Sequence, residues 1–284
     1  MLNPRLTQFT DFPFQRLRAA LDPLTPPAGL EPIFLSLGEP AHGAPPMVSE
    51  MIAANAHLWG KYPPPEGTPE LNQAIAAWLI QRFSLPGSSI DPSRHIIPVA
   101  GTKEALFLSG LLVVHPVAAG EQQPTFLQPN PFYNVYLGAA IMAGAEPVMM
   151  AATEASGFLP DIRALSAADW KRAAALLICT PANPQGAVAD VYYLAYAIEH
   201  ARKYDTTLFV DECYAEIYDQ EQPPGALQVC EAMGGGFENV LVFHSLSKRS
   251  SAPGLRSGFV AGDPKLILGF KHLRAHAAPT IPMP

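Results

Sequence analysis

Along the chain, segments whose apolar side chains recur at helical spacing alternate with short apolar runs. This alternation predicts helices and strands. In residues 68–83 apolar side chains recur at helical spacing, after a Thr that can cap the helix and a Pro at its first position. A short apolar run over residues 95–99 is typical of a strand, and a helical pattern follows over residues 103–114. Further strands are predicted at residues 124–127, 147–150, 174–179, 207–210 and 240–243, and further helices at residues 132–143 and 191–204.

Strands that alternate with helices predict an α/β fold. The expected architecture is a three-layer sandwich, in which helices cover both faces of a mainly parallel central sheet. The first 45 residues differ from the rest, because loop signals such as Pro26-Pro27 interrupt them. Ligands of such sheets bind at the carboxyl ends of the strands, so residues just after each strand are the first candidates for chemistry.

Composition and charge exclude several classes of function. The 284 residues are 49% hydrophobic, enough for a large core and a second, smaller domain. The net charge is −7 and no basic patch is present, so nucleic acid is not a predicted partner. No apolar run is long enough to span a membrane, and the N-terminus lacks the apolar segment of a signal peptide. Three cysteines without CxxC spacing indicate neither a disulfide framework nor a metal site, which favours a cytoplasmic protein.

Polar motifs follow several of the predicted strands. Gly101-Thr102-Lys103 opens a helix after a strand and could approach a phosphate, although an ordinary tight turn is the commoner structure for such a sequence. Tyr133 could stack on a planar ring, or it could be a core aromatic. Asn183 could offer its amide to a ligand oxygen, but Asn-Pro-x-Gly is also a plain turn.

Asp211 and Lys248 carry the strongest chemical signals. Asp211 ends a strand in an apolar setting, where a carboxylate needs a cationic partner such as a pyridinium N–H. A metal ion or a solvated loop are the alternatives, and no further ligand lies at metal-binding spacing. Lys248 ends the motif Ser245-x-Ser247-Lys248, with Arg256 eight residues later. Hydroxyl groups and Arg suit a phosphate, and a desolvated Lys forms Schiff bases, although a lone motif of this kind more often marks a surface lysine.

Together and in this order, the motifs resemble those of class I and II aminotransferases, which are fold-type I pyridoxal-phosphate enzymes. The resemblance covers essentially the whole chain and implies the large domain of that fold with pyridoxal 5′-phosphate as cofactor. The motifs that carry it are Ser245-x-Ser247-Lys248, Gly254-x-Arg256-x-Gly258, Asp211-x-x-Tyr214 and Asn183-Pro-x-Gly186.

The resemblance implies a role for each matched residue. Lys248 would bind the cofactor covalently and move the Cα proton of the substrate, and Asp211 would pair with the pyridine nitrogen. Tyr214 and Asn183 would hydrogen-bond the phenolic oxygen of the ring, and Tyr133 would stack on the ring face. The phosphate would be held by Gly101, Thr102, Lys103, Ser245, Ser247 and Arg256.

Substrate and subunit contacts are implied in the same way. Gly38, in LSLGEP, matches a loop that closes on the substrate carboxylate, and Asn183 also lies beside the substrate. Tyr62, in KYPPPEG, matches a tyrosine that reaches the phosphate of a neighbouring subunit, so the active site would be complete only in a homodimer. The implied substrates are an amino acid such as glutamate and a keto-acid.

The resemblance also implies a domain organisation. Residues 1–45 would belong to a small domain, residues 46–262 would form the large cofactor-binding domain, and residues 263–284 would begin the C-terminal part of the small domain. In the family about a hundred further residues follow, and they include the Arg that clamps the substrate carboxylate. We therefore expect the chain to be truncated at Pro284 and to be inactive on its own.

A narrower resemblance concerns the substrate. The segments LSLGEPAHGAP, NPFYNVYLGAAIMAGAEP and SLSKRSSAPGLRSGF are similar to N-succinyl-diaminopimelate aminotransferases of proteobacteria, which act in lysine biosynthesis. Ser257 departs from the apolar residue that is usual at this place in the wider family, yet suits this subgroup. The alternatives are a carbon–sulfur lyase or other fold-type I enzyme, a non-catalytic cofactor-binding module, and an α/β domain without cofactor.

Overall fold

A seven-stranded sheet organises the larger part of the computed structural model. Across the sheet the strand order is β1-β7-β6-β5-β4-β2-β3, and among these strands only β7 runs against the others. The mainly parallel sheet is thus confirmed, whereas the antiparallel β7 was not predicted. The strands are β1 (Ile96–Val99), β2 (Thr125–Asn130), β3 (Glu146–Ala151), β4 (Ala173–Cys179), β5 (Thr207–Asp211), β6 (Val240–Ser245) and β7 (Gly258–Gly262).

Helices lie between most of the strands, as the hydrophobic periodicity indicates. The predicted helices correspond to α3, α4, α5 and α7, with boundaries that agree to within about two residues. The helices are α1 (Pro13–Leu21), α2 (Pro46–Ala54), α3 (Pro69–Arg82), α4 (Thr102–Val113), α5 (Asn134–Ala143), α6 (Ala167–Arg172), α7 (Val191–Tyr204), α8 (Ala226–Met233), α9 (Leu246–Arg249) and α10 (Pro264–Ala277).

Local sequence explains where the principal helices begin. The Thr68 side chain accepts a hydrogen bond from the Leu71 N–H at 3.2 Å, and Pro occupies the first turn of α3. At the start of α7, the Asp190 carboxylate accepts from the Tyr193 N–H at 2.7 Å. Each cap satisfies a backbone donor that has no partner inside the helix, so these short polar signals fix the helix starts.

The period of two along the strands distributes side chains between two hydrophobic cores. On one side of the sheet, which we call the α7 face, Val210 and Val242 pack with residues of α3, α7 and α8. On the other side, the α4 face, Phe209 and Phe243 pack with residues of α4, α5 and α10. Burial of β1, β4, β5 and β6 on both faces explains why these strands read as continuous apolar runs.

The structure describes residues 2–9, 13–31, 33–118, 120–277 and 281–284. The chain divides into two units, Met1–Pro40 and Ala41–Pro284. The first unit contains α1, so the segment that reads as loops also holds a helix. Within the described residues, no helix combines the length and the apolar character that crossing a membrane requires. The assignment of residues 1–45 and 263–284 to a second domain stays a prediction.

The contact between α4 and α5 leads to a prediction about stability. A Cβ atom on Gly110 would lie 2.6 Å from the backbone oxygen of Ala139, so Gly110→Ala forces the α5 backbone to move. We expect a loss of about 1–3 kcal/mol in the free energy of unfolding, measured by urea denaturation. Gly269→Ala is the matched control, because its Cβ would meet only the end of the Leu112 side chain. In the control, the higher helix propensity of Ala should raise the free energy of unfolding by up to about 1 kcal/mol. Equal losses of this free energy in both variants would contradict the packing explanation.

Candidate active site

The carboxyl ends of four neighbouring strands lie at the same edge of the sheet. Gly258 of β7 pairs with Val99 on one side and with Ser245 on the other, which brings the ends of β1 and β6 together. Asp211 at the end of β5 pairs with Phe243 of β6 and Cys179 of β4. The motifs that follow β1, β4, β5 and β6 therefore meet at one place, as the parallel sheet predicts.

Hydroxyl groups, a helix start and an arginine form one end of this site. Ser245 Oγ lies 2.8 Å from Ser247 Oγ and accepts a hydrogen bond from the Ser247 N–H at 3.1 Å. Arg256 donates to the Ala100 carbonyl at 3.1 Å and to the Pro253 carbonyl at 3.0 Å. A guanidinium has five N–H donors, so Arg256 can bind an anion while it keeps both contacts.

Gly101 allows the arginine to approach the start of α4. Its φ of +86° lies in the left-handed region, and a Cβ atom there would lie 2.4 Å from Nη2 of Arg256. Thr102 begins α4, whose first backbone N–H groups have no partner inside the helix and attract anions. Lys103 is exposed in the same first turn. These residues and the two serines thus form a cradle that fits a phosphate, and we call it the anion cradle.

Lys248 lies next to the anion cradle. It belongs to the four-residue helix α9, which Ser245 caps by accepting from the Ser247 N–H. The Lys248 side chain is partly buried, in contrast to the exposed Lys103. A short helix that begins at the end of β6 therefore places Lys248 directly after Ser247 of the anion cradle.

A buried carboxyl group forms the other end of the site. Asp211 is 5% exposed, and its carboxylate accepts hydrogen bonds from Tyr136 Oη at 2.7 Å and from the Cys213 N–H at 3.2 Å. Burial raises the pKa of Asp211, and the hydrogen bonds from Cys213 and Tyr136 oppose that rise. Neither donor carries a positive charge. An ionised Asp211 is therefore suited to a ligand that brings a cationic N–H.

Two tyrosines and an amide lie between the two ends. Asn183 donates to Tyr214 Oη at 3.1 Å, which places both groups where they can bind one ligand oxygen. Burial, followed by the charges of Asp211 and Cys213, raises the pKa of Tyr133 to about 12, while Arg256 lowers it. Burial also raises the pKa of Tyr214. Both phenols thus stay protonated near neutral pH and can donate hydrogen bonds.

The sequence did not single out two residues that the structure places here. Tyr136 contacts the Tyr133 ring edge to face, with centroids 5.8 Å apart, in addition to its bond to Asp211. Cys213 lies inside the Asp211-x-x-Tyr214 motif, and its sulfur is 3.1 Å from Thr102 Oγ1. The signal for Tyr136 was its position three residues after Tyr133, which puts both rings on the same side of α5.

Two further predicted site residues come from the N-terminal part of the chain. Gly38 belongs to the unit Met1–Pro40. Tyr62 belongs to the other unit, and its side chain is fully exposed. Their roles at the substrate and at a neighbouring subunit stay predictions. Among the described residues, no group of three or more His, Cys, Asp or Glu side chains could hold a metal ion.

The chain is similar to known proteins over most of its length. Residues 31–283 match the family model described as aminotransferase class I and II. An LL-diaminopimelate aminotransferase of Desulforudis audaxviator is 33% identical over 251 residues, 87% of this chain and 61% of that protein. The 4-dedimethylamino-4-oxo-anhydrotetracycline transaminase OxyQ of Streptomyces rimosus is 34% identical over 259 residues, 91% of this chain and 65% of that protein. The chain thus spans less than two thirds of the length of these two relatives.

The fold agrees with that of a solved aminotransferase. A crystal structure of an aminotransferase from Neisseria meningitidis superimposes with a TM-score of 0.92 and 38% sequence identity. The match covers 99% of this chain and 70% of the Neisseria chain. The architecture inferred from the strand and helix pattern is therefore that of fold-type I transferases.

Burial of Asp211 leads to a prediction about the cofactor-free protein. Because the folded state raises the pKa of Asp211, the fold is destabilised at neutral pH; this penalty shrinks as pH falls through the raised pKa and vanishes below the pKa of the unfolded chain. Asp211→Asn removes the charge and keeps the shape. We expect its melting temperature at pH 7 to exceed the wild-type value by about 2–4 °C for each 1 kcal/mol regained.

The check is thermal denaturation of both proteins across pH. The difference in melting temperature should shrink as the pH is lowered, since the wild-type carboxyl then becomes neutral as well. A variant that melts below the wild-type protein at pH 7 would show that the folded state favours the ionised carboxylate without any ligand.

Proposed function

The chain belongs to the class I and II aminotransferase family, and we propose that it binds pyridoxal 5′-phosphate through Lys248 and acts in transamination. The observation that carries the proposal is the distribution of charge in the site. At one end lies a buried carboxyl group whose described hydrogen-bond donors, Tyr136 and the Cys213 N–H, are neutral. The anion cradle lies at the other end, and the partly buried Lys248 directly follows one of its serines. These are the complements of a pyridinium N–H, a phosphate and an aldehyde.

The residues at the site fit this cofactor group by group. Gly101, Thr102, Ser245, Ser247 and Arg256 would hold the phosphate, with Lys103 near them. Asp211 would bind the ring nitrogen, because a cationic N–H balances the buried carboxylate. The Asn183 amide and the Tyr214 hydroxyl, 3.1 Å apart, would bind the phenolic oxygen, and Tyr133 would lie against the ring.

Each residue contributes a distinct effect to the reaction. When bound, pyridoxal phosphate supplies an electron sink for the bonds at the substrate Cα. Asp211 would hold the proton on the ring nitrogen, with its carboxylate oriented by Tyr136 and the Cys213 N–H. Lys248 would take up and return the proton at the substrate Cα, because it is partly buried and directly follows Ser247 of the anion cradle. Tyr133 and Tyr214 stay neutral near pH 7, because burial raises the pKa of both phenols, and both could donate hydrogen bonds beside the ring.

For the substrates, we propose that glutamate is the amino donor and that the products are N-succinyl-diaminopimelate and 2-oxoglutarate. In the reverse direction, N-succinyl-diaminopimelate would donate its amino group to 2-oxoglutarate. Support comes from the segments around Gly38, Tyr133 and Lys248, which are similar to that subgroup. Free LL-diaminopimelate is the second candidate, because several relatives are named for it. OxyQ is equally similar to the chain and is named for a tetracycline intermediate, so overall identity does not decide the substrate.

For the assembly, we propose a homodimer in which the exposed Tyr62 reaches the phosphate of the partner subunit and Gly38 contributes to a loop over the substrate. We also propose that residues 46–262 form the cofactor domain and that residues 1–45 and 263–284 belong to a small domain. The position of Gly38 in the separate unit Met1–Pro40 is compatible with this division.

The reaction class is tested by product analysis. The full protein is incubated with pyridoxal phosphate, glutamate and a series of keto-acids, and products are identified by mass spectrometry. We expect 2-oxoglutarate and the new amino acid in equal amounts. In a separate incubation with cysteine in place of glutamate, release of pyruvate, ammonia and hydrogen sulfide would indicate a lyase instead. Bound cofactor without turnover would indicate a binding module. Parallel reactions with N-succinyl-diaminopimelate and LL-diaminopimelate as amino donors to 2-oxoglutarate decide between the two candidate substrates.

Removal of the lysine amine gives a further prediction. Lys248→Ala should bind pyridoxal phosphate without a covalent bond, so borohydride should no longer attach the cofactor, and transamination should fall by at least about 1,000-fold. Lys171→Ala, on the exposed surface of α6, is the matched control and should trap the cofactor as the wild type does. Peptide mapping of the reduced protein provides the measurement. Cofactor attached to any other lysine would refute the assignment.

A further inference from the structure

Two ionisable side chains are buried directly behind the proposed cofactor site, and the proposed mechanism does not use them. Glu212 follows Asp211, and His244 precedes Ser245. Successive residues of a strand point to opposite faces of a sheet. Asp211 contacts Tyr136 of the α4-face core, whereas His244 contacts Trp78 and other side chains packed in the α7 face.

Glu212 and His244 face each other across the ends of β5 and β6. Glu212 Oε2 and His244 Nε2 lie 2.8 Å apart, and the exposed fractions of the two side chains are 1% and 2%. The contact has the distance of an ion pair without the alignment of a hydrogen bond, and neither atom has another hydrogen-bond partner in the described residues. The other carboxylate oxygen, Oε1, accepts from the Ala226 N–H at 2.7 Å.

Aromatic rings enclose the imidazole. The His244 ring stacks on Phe259 with centroids 5.0 Å apart and meets Trp78 edge to face at 5.2 Å. Phe83 lies on a further side at 5.9 Å. Since these rings offer no strong acceptor, the Glu212 carboxylate is the polar group that compensates the imidazole for its loss of water, and separation of the pair would leave two uncompensated groups.

The pair joins the two strands from which the cofactor would be held. Backbone pairing of β5 with β6 continues past Asp211, because the Glu212 N–H donates to the Phe243 carbonyl at 3.0 Å. The neighbours of the pair along the chain are Asp211, at the ring-nitrogen end, and Ser245, in the anion cradle. A sideways or twisting movement of one strand end relative to the other would change the distance between those two ends, and it would also separate Glu212 from His244.

We propose that Glu212 and His244 form a positioning pair, which holds the ends of β5 and β6 so that Asp211 and the anion cradle engage one cofactor molecule together. This inference rests on the proposed function, because it assumes that both ends bind the same pyridoxal phosphate. The pair itself touches neither the cofactor nor the substrate.

The test compares four variants of the full chain. His244→Leu removes the group that meets Glu212, whereas His244→Gln can place an amide nitrogen near the same point. Phe83→Leu is the matched control, because it loosens the packing around His244 and leaves the pair intact. In Glu212→Gln/His244→Leu the charge and the imidazole are both removed, while the amide oxygen can still accept from the Ala226 N–H, so this variant serves if His244→Leu does not fold.

Two properties are measured for each folded variant at equal temperature below its melting point. The first is the apparent dissociation constant for pyridoxal 5′-phosphate, from absorbance titration. The second is the induced circular dichroism of the saturated cofactor, which reports how the ring is held. We expect His244→Leu and the double variant to bind roughly ten-fold more weakly and to lose most of the induced signal. His244→Gln and Phe83→Leu should remain within about three-fold of wild type and keep the signal.

The outcomes separate this inference from the function on which it rests. Wild-type protein that fails to bind the cofactor at Lys248 overturns both. Wild-type binding at Lys248, with His244→Leu or the double variant matching Phe83→Leu in affinity and induced signal, overturns the positioning pair alone. The same holds if His244→Gln loses as much as His244→Leu, since the position would then require an imidazole for another reason.

Discussion

Asp211 ends β5 with a carboxyl group that water barely reaches, and the fold compensates it with two neutral hydrogen-bond donors. Tyr136 and the Cys213 N–H orient the carboxylate without balancing its charge, so its pKa stays above the ordinary range. A group of this kind destabilises the free protein and stabilises a complex with a cationic ligand. The neighbouring features can be understood from this constraint, because each of them is suited to another part of the proposed ligand or holds Asp211 in place.

The two faces of the sheet carry different groups of these side chains. On the α4 face, Asp211 and Ser245 emerge from adjacent strands beside the start of α4 and the side chain of Arg256. On the α7 face, Glu212 and His244 emerge one residue away on the same strands and meet each other among aromatic rings. The period of two in a strand therefore places ligand-binding groups in front of the sheet and the groups that fix their spacing behind it.

Most of the fold and much of the site could be predicted from the sequence, since both depend on local patterns. Apolar runs and helix caps located α3, α7 and six of the seven strands. Motifs singled out Asp211 and Lys248, and the structure places them at the ends of the adjacent strands β5 and β6, while their roles stay predictions. The strand β7 was missed because Gly258 and the small residues around it give a weak hydrophobic signal.

The contacts of Tyr136, Cys213, Glu212 and His244 required the structure. Each depends on the pairing of strands or helices distant in sequence: Tyr136 reaches Asp211 across 75 positions, and His244 meets Glu212 across a ladder between β5 and β6. The hydrophobic pattern of a sequence indicates on which face of a strand or helix a residue lies, but it does not indicate which polar group that residue contacts. The roles predicted for Tyr62 at a neighbouring subunit and for Gly38 at the substrate stay predictions.

The central claim is that the described hydrogen-bond donors of the Asp211 carboxyl are neutral in the free chain, and that the proposed cofactor would add a cationic one. Carbon-13 NMR of protein labelled at aspartate carboxyl groups measures this directly, with the Asp211 resonance assigned from the Asp211→Asn variant. Without cofactor, the resonance should titrate with a pKa above the ordinary aspartate value of about 3.9. With pyridoxal phosphate bound, the pKa should fall below that value, because the ring N–H then stabilises the ionised form. A pKa that is already low without cofactor, or that does not change on binding, would contradict the account.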